Sequence, residues 1–197
     1  MVVRAIVPPS GSIKAHAFRL EPNDSLKESL SEIAQIIFAR MPQKESSSLF
    51  MMTAVGSFND VTLRLANASR NDASGDKAPG NEIKRWEDQR FECVSLVGTF
   101  SRDGSCHLHL SISDAEGNTF GGHLIAATIF TTCEVVLGSI DGVEFDREND
   151  NRTGYNELIP RQILDNDSWS QFHSFAKMAL CIVLGFSISK LSRPQNR

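Results

Sequence analysis

The chain is short of the features that mark several protein classes. It has four cysteines, Cys93, Cys106, Cys133 and Cys181, and none forms a Cys-x-x-Cys pair. A chain of 197 residues does not need disulfide staples. Cys93 and Cys133 lie within apolar runs and read as small core residues. A basic excess is also missing: Lys+Arg is 20 against Asp+Glu 24, for a net charge of -4. Duplex DNA is gripped by phosphate neutralisation, so this balance argues against a strong stand-alone DNA binder. The longest apolar run, Met178 to Ile188, has eleven residues, and a spanning helix needs about 20. It reads as a terminal helix or strand packed on a neighbour, with a short tail anchor as the alternative, and no membrane partner is expected. Met1 to Ser10 lacks an apolar signal core. These absences together point to an intracellular protein, cytoplasmic or nuclear. Gly121-Gly122 lacks the spacing and lysine of a phosphate-binding loop.

What is present is enough to build a core. Hydrophobic residues make up 41% and charged residues 22%, which suits one folded domain with tails. Ile13 to Leu20 alternates weakly and stops at Glu21-Pro22, as a strand does. Ser25-Leu26-Lys27-Glu28 fits a capping box, with a hydroxyl for an orphan N–H and a carboxylate three residues on. Leu26, Leu30, Ile33, Ala34, Ile37 and Met41 then follow on one helical face, which Pro42 ends.

Leu49 to Gly56 and Val61 to Ala66 read as two strands around a turn at Asn59-Asp60. Asn67 to Asn81 has almost nothing to bury and reads as a mobile loop inserted in the sheet. Arg90 to Phe100 is a strand, and Arg102 to Ser105 a turn. Cys106 to Ser113 and Thr119 to Leu124 form a hairpin. Ile125 to Ile140 is rich in β-branched residues and ends at Asp141-Gly142; Val143 to Phe145 is a short strand. The pattern fades after Pro160. The expected organisation is an N-terminal extension over 1–12, a domain over 13–160 containing the 67–81 insertion, and a C-terminal tail over 161–197. One main packed helix among about seven strands predicts an α+β fold with a mostly antiparallel sheet.

Chemistry concentrates in the hairpin. His107 and His109 share one face of their strand, because side chains alternate with a period of two. Leu108, Leu110 and Ile112 take the other, core face. A three-residue loop, Ala115 to Gly117 with Gly117 left-handed, sets His123 opposite His109. Phe120 and Leu124 then join the leucine face. Gly121 and Gly122 leave room beside His123 for another group. Three neutral imidazoles with an open fourth position are the ligand set of a catalytic-type zinc or related divalent ion. The alternative is a polar sheet face whose histidines pair with water or Ser111. His16 and His173 have no comparable setting. Glu134 is a carboxylate in a β-rich run, a candidate base or orienting acceptor for a metal site. It reads equally as a surface charge. Arg90 and Glu92 face the same way, with Phe91 toward the core.

These segments resemble the plants-and-prokaryotes-conserved (PPC) domain, from about Lys14 to Leu158. The match is carried by Arg90-Phe91-Glu92 with Ser95 to Phe100, by His107 to Ser111, by Gly121-Gly122-His123-Leu124 and by Thr132 to Leu137. Phe145 with Thr153 to Leu158 completes it. The resemblance implies an antiparallel sheet with a packed helix, assembled as a homotrimer. It also implies a divalent metal, zinc first, at His107, His109 and His123, as in stand-alone microbial members. Plant members are DNA-associated regulators. Their AT-hook contacts DNA, while the PPC domain contacts itself and partner proteins, including through a segment like Arg90-Phe91-Glu92. This chain has Ser192-Arg193-Pro194-Gln195 but no Gly-Arg-Pro hook within basic residues. The expected function is therefore a trimeric metal-binding protein with a regulatory or protein-interaction role, and DNA association is secondary. The other reading is a metal-dependent enzyme acting on a small molecule, with Glu134 as base.

Overall fold

The computed structural model describes residues 12–42, 46–66 and 82–163. The expected N-terminal extension (apart from Ser12), the 67–81 insertion, Cys181, His173, the Met178–Ile188 run and the rest of the tail from 164 lie outside the described residues. In chain order the elements are β1 (Ile13–Leu20), α1 (Leu26–Arg40), β2 (Leu49–Arg64), β3 (Ile83–Trp86), β4 (Phe91–Phe100), β5 (Cys106–Ser113), β6 (Thr119–Ile140), β7 (Val143–Asp150) and β8 (Tyr155–Gln162). The fold is α+β, with eight strands where about seven were expected. Every pairing between named strands is antiparallel.

The six-stranded sheet runs β1-β6-β5-β4-β2-β3, and a further β6–β2 pairing joins its interior strands into a closed ring of β6, β5, β4 and β2. Two long strands make that closure. The sequence suggested a turn at Asn59-Asp60, but β2 runs straight through it. Those turn-prone groups serve as anchors instead. The Asp60 carboxylate accepts the Asp88 N–H at 3.0 Å, and the Asn59 carbonyl accepts the Gln89 N–H at 3.0 Å. Register shifts, including one between Phe58 and Asp60, absorb the bend. β6 likewise continues through Leu124-Ile125 as one strand of 22 residues. Its early part pairs with β5, its late part with β1, and β2 follows its other edge.

β7 and β8 form a separate two-stranded sheet. β7 runs to Asp150 rather than stopping at Phe145, and β8 continues past Pro160 to Gln162. Proline is tolerated there because an edge strand has an N–H to spare. β3 is a short edge strand with no apolar alternation, and the sequence reading missed it.

Helix α1 begins at Ser25, but not as a capping box. The Ser25 hydroxyl donates to the Glu28 carboxylate and caps no backbone N–H. Leu26, Leu30, Ala34 and Phe38 are its buried row, spaced by four. Ile33, Ile37 and Met41, expected on the same face, lean on its margin. Met41 is extended, as a residue before proline must be. The Arg102 guanidinium ties this end down. It donates to the carbonyls of Phe38 (2.7 Å), Met41 (3.3 Å) and Ser46 (3.2 Å) and to the Ser47 hydroxyl (3.1 Å). A cation at a helix C-terminus is favoured by the dipole as well as by these bonds. Its carbon lies 5.1 Å above the Phe38 ring.

One cluster forms the core, and it joins that helix row to Phe100, Leu108, Leu110, Ile112 and Leu124 from the sheet. Cys133 is buried in it and Cys93 packs against it. Burial pushes their thiols up to about 12 and about 11, so both are inert core residues as expected. Among the described residues no helix is long and apolar enough to cross a membrane. Truncating a buried phenylalanine removes its transfer energy and leaves a cavity. Phe38→Ala should therefore destabilise the protein by about 3–5 kcal/mol in chemical denaturation, with Arg102 losing the ring it stacks on.

Candidate metal centre

The hairpin that carries the histidines is set by its loop. Gly117 has φ +83°, the left-handed position that glycine accepts without strain. Asp114 closes the loop. Its backbone N–H donates to the Asn118 carbonyl at 3.0 Å, and its carboxylate accepts the N–H groups of Glu116 (3.1 Å) and Asn118 (2.8 Å). The Asn118 side-chain amide also donates to it and, with the backbone N–H groups, holds its carboxyl below the usual carboxylate range. With the loop fixed, His109 pairs with His123, Ser111 with Gly121 and Ile112 with Phe120, the register read from the sequence. Leu108, Leu110, Ile112 and Leu124 are buried, while His107 and His109 are exposed and His123 is half-buried.

The three rings converge. Their centroids lie 5.0 Å (His107–His109), 5.1 Å (His107–His123) and 5.6 Å (His109–His123) apart. Nε2 of His107 and Nε2 of His109 are 3.1 Å apart, and one nitrogen from each ring lies within 4.8 Å of the others. Nitrogens sharing a tetrahedral ion at 2.0–2.1 Å stand roughly 3.4 Å from each other. The first pair is already at that spacing, and rotation of a ring closes the remainder.

The electrostatics favour ligation. Burial, then Arg64, then the other two histidines push His123 down to about 4. Burial, then His109 and Arg147, lowers His107. Both rings are neutral at pH 7, which metal binding requires. Nδ1 of His123 is buried and has no hydrogen-bond partner among the described residues. A buried nitrogen left unpaired is costly, and an ion bound there would satisfy it. The residues present fit a divalent metal.

The sheet places more around the rings than the hairpin alone suggested. Arg64 of β2 stands directly opposite His123 on the side away from His109. A depression of about 410 Å³ lies there, lined by Arg64, Ser95, His109, Ser111, Gly121 and His123 among others. A second, of about 260 Å³, lies beside His107 and includes Thr99, Arg147 and Glu157. Arg147 donates to the Thr99 hydroxyl at 2.9 Å and the Asn156 carbonyl at 3.2 Å. Gly121 and Gly122 both line the first depression beside His123, the room expected there, and neither position has space for a side chain of its own. A Cβ on Gly122 would stand 2.5 Å from the Arg64 carbonyl oxygen, and one on Gly121 would stand 2.8 Å from the Ser111 hydroxyl.

Glu134 is not in this group. It lies on β6 eleven residues beyond His123, roughly 36 Å of extended chain. It is exposed there, opposite Arg19 of β1 and Val55 of β2. Within one chain this position is away from the three rings. Arg90, Phe91 and Glu92 also lie apart from the histidines. Phe91 is buried with its ring 5.7 Å from Trp86, the Arg90 guanidinium sits 4.4 Å from the Phe130 ring, and Glu92 is exposed opposite Ser113. Arg64 and Arg147 were missed because strands far apart in sequence bring them in.

The model of the Plants and Prokaryotes Conserved domain matches residues 8–141. The chain belongs to this family. The match stops before the β7–β8 hairpin, where the sequence resemblance had continued to Leu158. Among solved structures, the PPC chain is similar to a hypothetical protein from Salmonella cholerae-suis. The identity is 27% and the TM-score 0.63, over 79% of this chain and 99% of that one. A metal-containing protein from Archaeoglobus fulgidus is 21% identical with a TM-score of 0.58, over 76% and 96%. A plant- and prokaryote-conserved protein from Pyrococcus horikoshii is 18% identical at 0.58, over 78% and 96%. The last two show a shared fold. In sequence the chain is 36% identical, over 162 residues, to the Bifunctional protein GlmU of a Synechococcus strain. That match covers 82% of this chain and 22% of the relative. The PPC chain thus spans about a fifth of the length of the curated relatives it matches.

The depressed proton affinity of His123 has a measurable sign. Folded, it takes a proton near pH 4, and its ordinary value is 6.5. Between these the unfolded chain binds more protons, so stability present above pH 6.5 is lost as pH falls toward 4. In urea unfolding of metal-free protein at pH 7 and pH 4.5, wild type should lose more stability than His123→Ala. Equal losses would show that the folded environment leaves His123 unshifted.

Proposed function

We propose that the protein is a trimeric PPC-domain protein that holds one divalent ion per chain, zinc first, through His107, His109 and His123. Its role is regulatory or protein-interacting. The observation that carries this is the convergence of three imidazoles whose ligand atoms lie within 4.8 Å of one another on an open sheet face. The neutral state of His107 and His123 and the orphaned His123 nitrogen support it. Trimer formation is supported by apolar side chains left on the sheet surface: Val55 and Val94 are more than half exposed and Met52 nearly so. Such side chains gather at subunit contacts. Arg90 and Glu92, exposed at the start of β4, suit a protein partner. DNA association is a secondary role, given the net charge of -4.

A metal-dependent enzyme acting on a small molecule is the second reading. An ion with an open position supplies Lewis acidity. The depressions on either side of the histidines favour this reading, although within one chain Glu134 lies away from the rings.

Elemental analysis of purified protein should give close to one metal per chain, and His109→Ala should lose it at least tenfold while remaining folded. Metal-free wild type would reject both readings. Light scattering should give three times the chain mass of 21.7 kDa; a monomer at micromolar concentration would reject the trimer.

A further inference from the structure

We propose that the depression between the histidines and Arg64 binds a small carboxylate, with its charged end on the Arg64 guanidinium and another oxygen toward the ion. This inference rests on the metal reading above. It begins with a row of residues that the ladders set side by side across the sheet: Ile83, Arg64, His123, His109 and Val97. Directly opposed side chains share a face with Cβ atoms about 4.5–5.5 Å apart. Arg64 is therefore held beside His123 by sheet register, as firmly as His109 is on the other side.

A guanidinium fixed beside a cation site is a like-charge pair. Among the described residues no carboxylate lies within ion-pair distance of Arg64. Its recorded contact is the Tyr155 ring, 5.8 Å away, which takes none of its N–H groups. The opposite side of the histidines differs, because Arg147 shares the second depression with Glu157. Arg147 places its N–H groups on the Thr99 hydroxyl and the Asn156 carbonyl, whereas the contact of Arg64 among the described residues is the Tyr155 ring. An anion between Arg64 and the ion would resolve the repulsion from both ends, and a planar carboxylate matches the guanidinium fork.

The shape of the depression limits the ligand. Its volume of about 410 Å³ is near the small end of ligand sites. Leu65 and Val97 give it apolar walls, and Ser95 and Ser111 add hydroxyls. Ser111 keeps its place because Gly121 opposite carries no side chain. Apolar walls with two hydroxyls suit a short carbon chain with oxygen at each end better than a bare inorganic ion.

Zinc-loaded full-length protein titrated calorimetrically with malonate tests this, with zinc content measured before and after. Wild type should bind malonate saturably. Arg64→Gln should keep its zinc and bind malonate about tenfold or more weakly, the loss expected for a charged hydrogen bond. Arg64→Lys should fall between them, and Arg147→Gln should stay within about twofold of wild type, since Arg147 lines the other depression. Zinc uptake without malonate binding, or unchanged affinity in Arg64→Gln, overturns this inference alone. Inorganic phosphate binding as tightly as malonate overturns the carboxylate assignment. A wild type that takes up no zinc overturns the metal reading and this inference with it.

Discussion

Everything distinctive about the site depends on the register of the β5–β6 hairpin. A strand slip of one residue turns every side chain to the opposite face. Here a slip of β5 would drive His107 and His109 into the leucine core, away from His123, and expose Leu108, Leu110 and Ile112. Two independent constraints prevent it. The loop from Asp114 to Asn118, with left-handed Gly117, fixes the alignment locally. Burial of the leucine face fixes it globally. Because both select the same register, the polar site and the apolar core are two faces of one alignment.

The second level of organisation is the ring of β6, β5, β4 and β2. It closes only because β2 and β6 are long, and β2 stays paired through residues that would otherwise turn. Closure brings Arg64 beside His123 and Val97 beside His109. The hairpin supplies nitrogen ligands, and the neighbouring strands supply the charge and walls around them. The resulting asymmetry, Arg147 hydrogen-bonded to Thr99 and Asn156 on one side and Arg64 against the Tyr155 ring on the other, joins the closed sheet to the β7–β8 hairpin.

The chain spans about a fifth of its curated relatives and nearly the whole of the solved Salmonella chain it resembles. A domain used in that way needs a self-contained core. This one gains it from helix α1, whose row from Leu26 to Phe38 packs on the sheet, with Arg102 fastening the helix end.

The α+β class, β1, α1, the hairpin and its register were legible because each rests on local rules: alternation, helical spacing and turn chemistry. The histidine cluster was legible for the same reason, since two strands joined by a short loop carry all of it. The two long strands were not. Asn59-Asp60 looks like a turn until the chain after β3 takes up its polar groups. Glu134 looked near the histidines of its own chain only while its distance along β6 was unknown. The sequence by itself determined which residues could meet across one hairpin. Which arginines, serines and walls surround them was decided by tertiary structure, because contacts between strands dozens of residues apart depend on how the whole sheet closes.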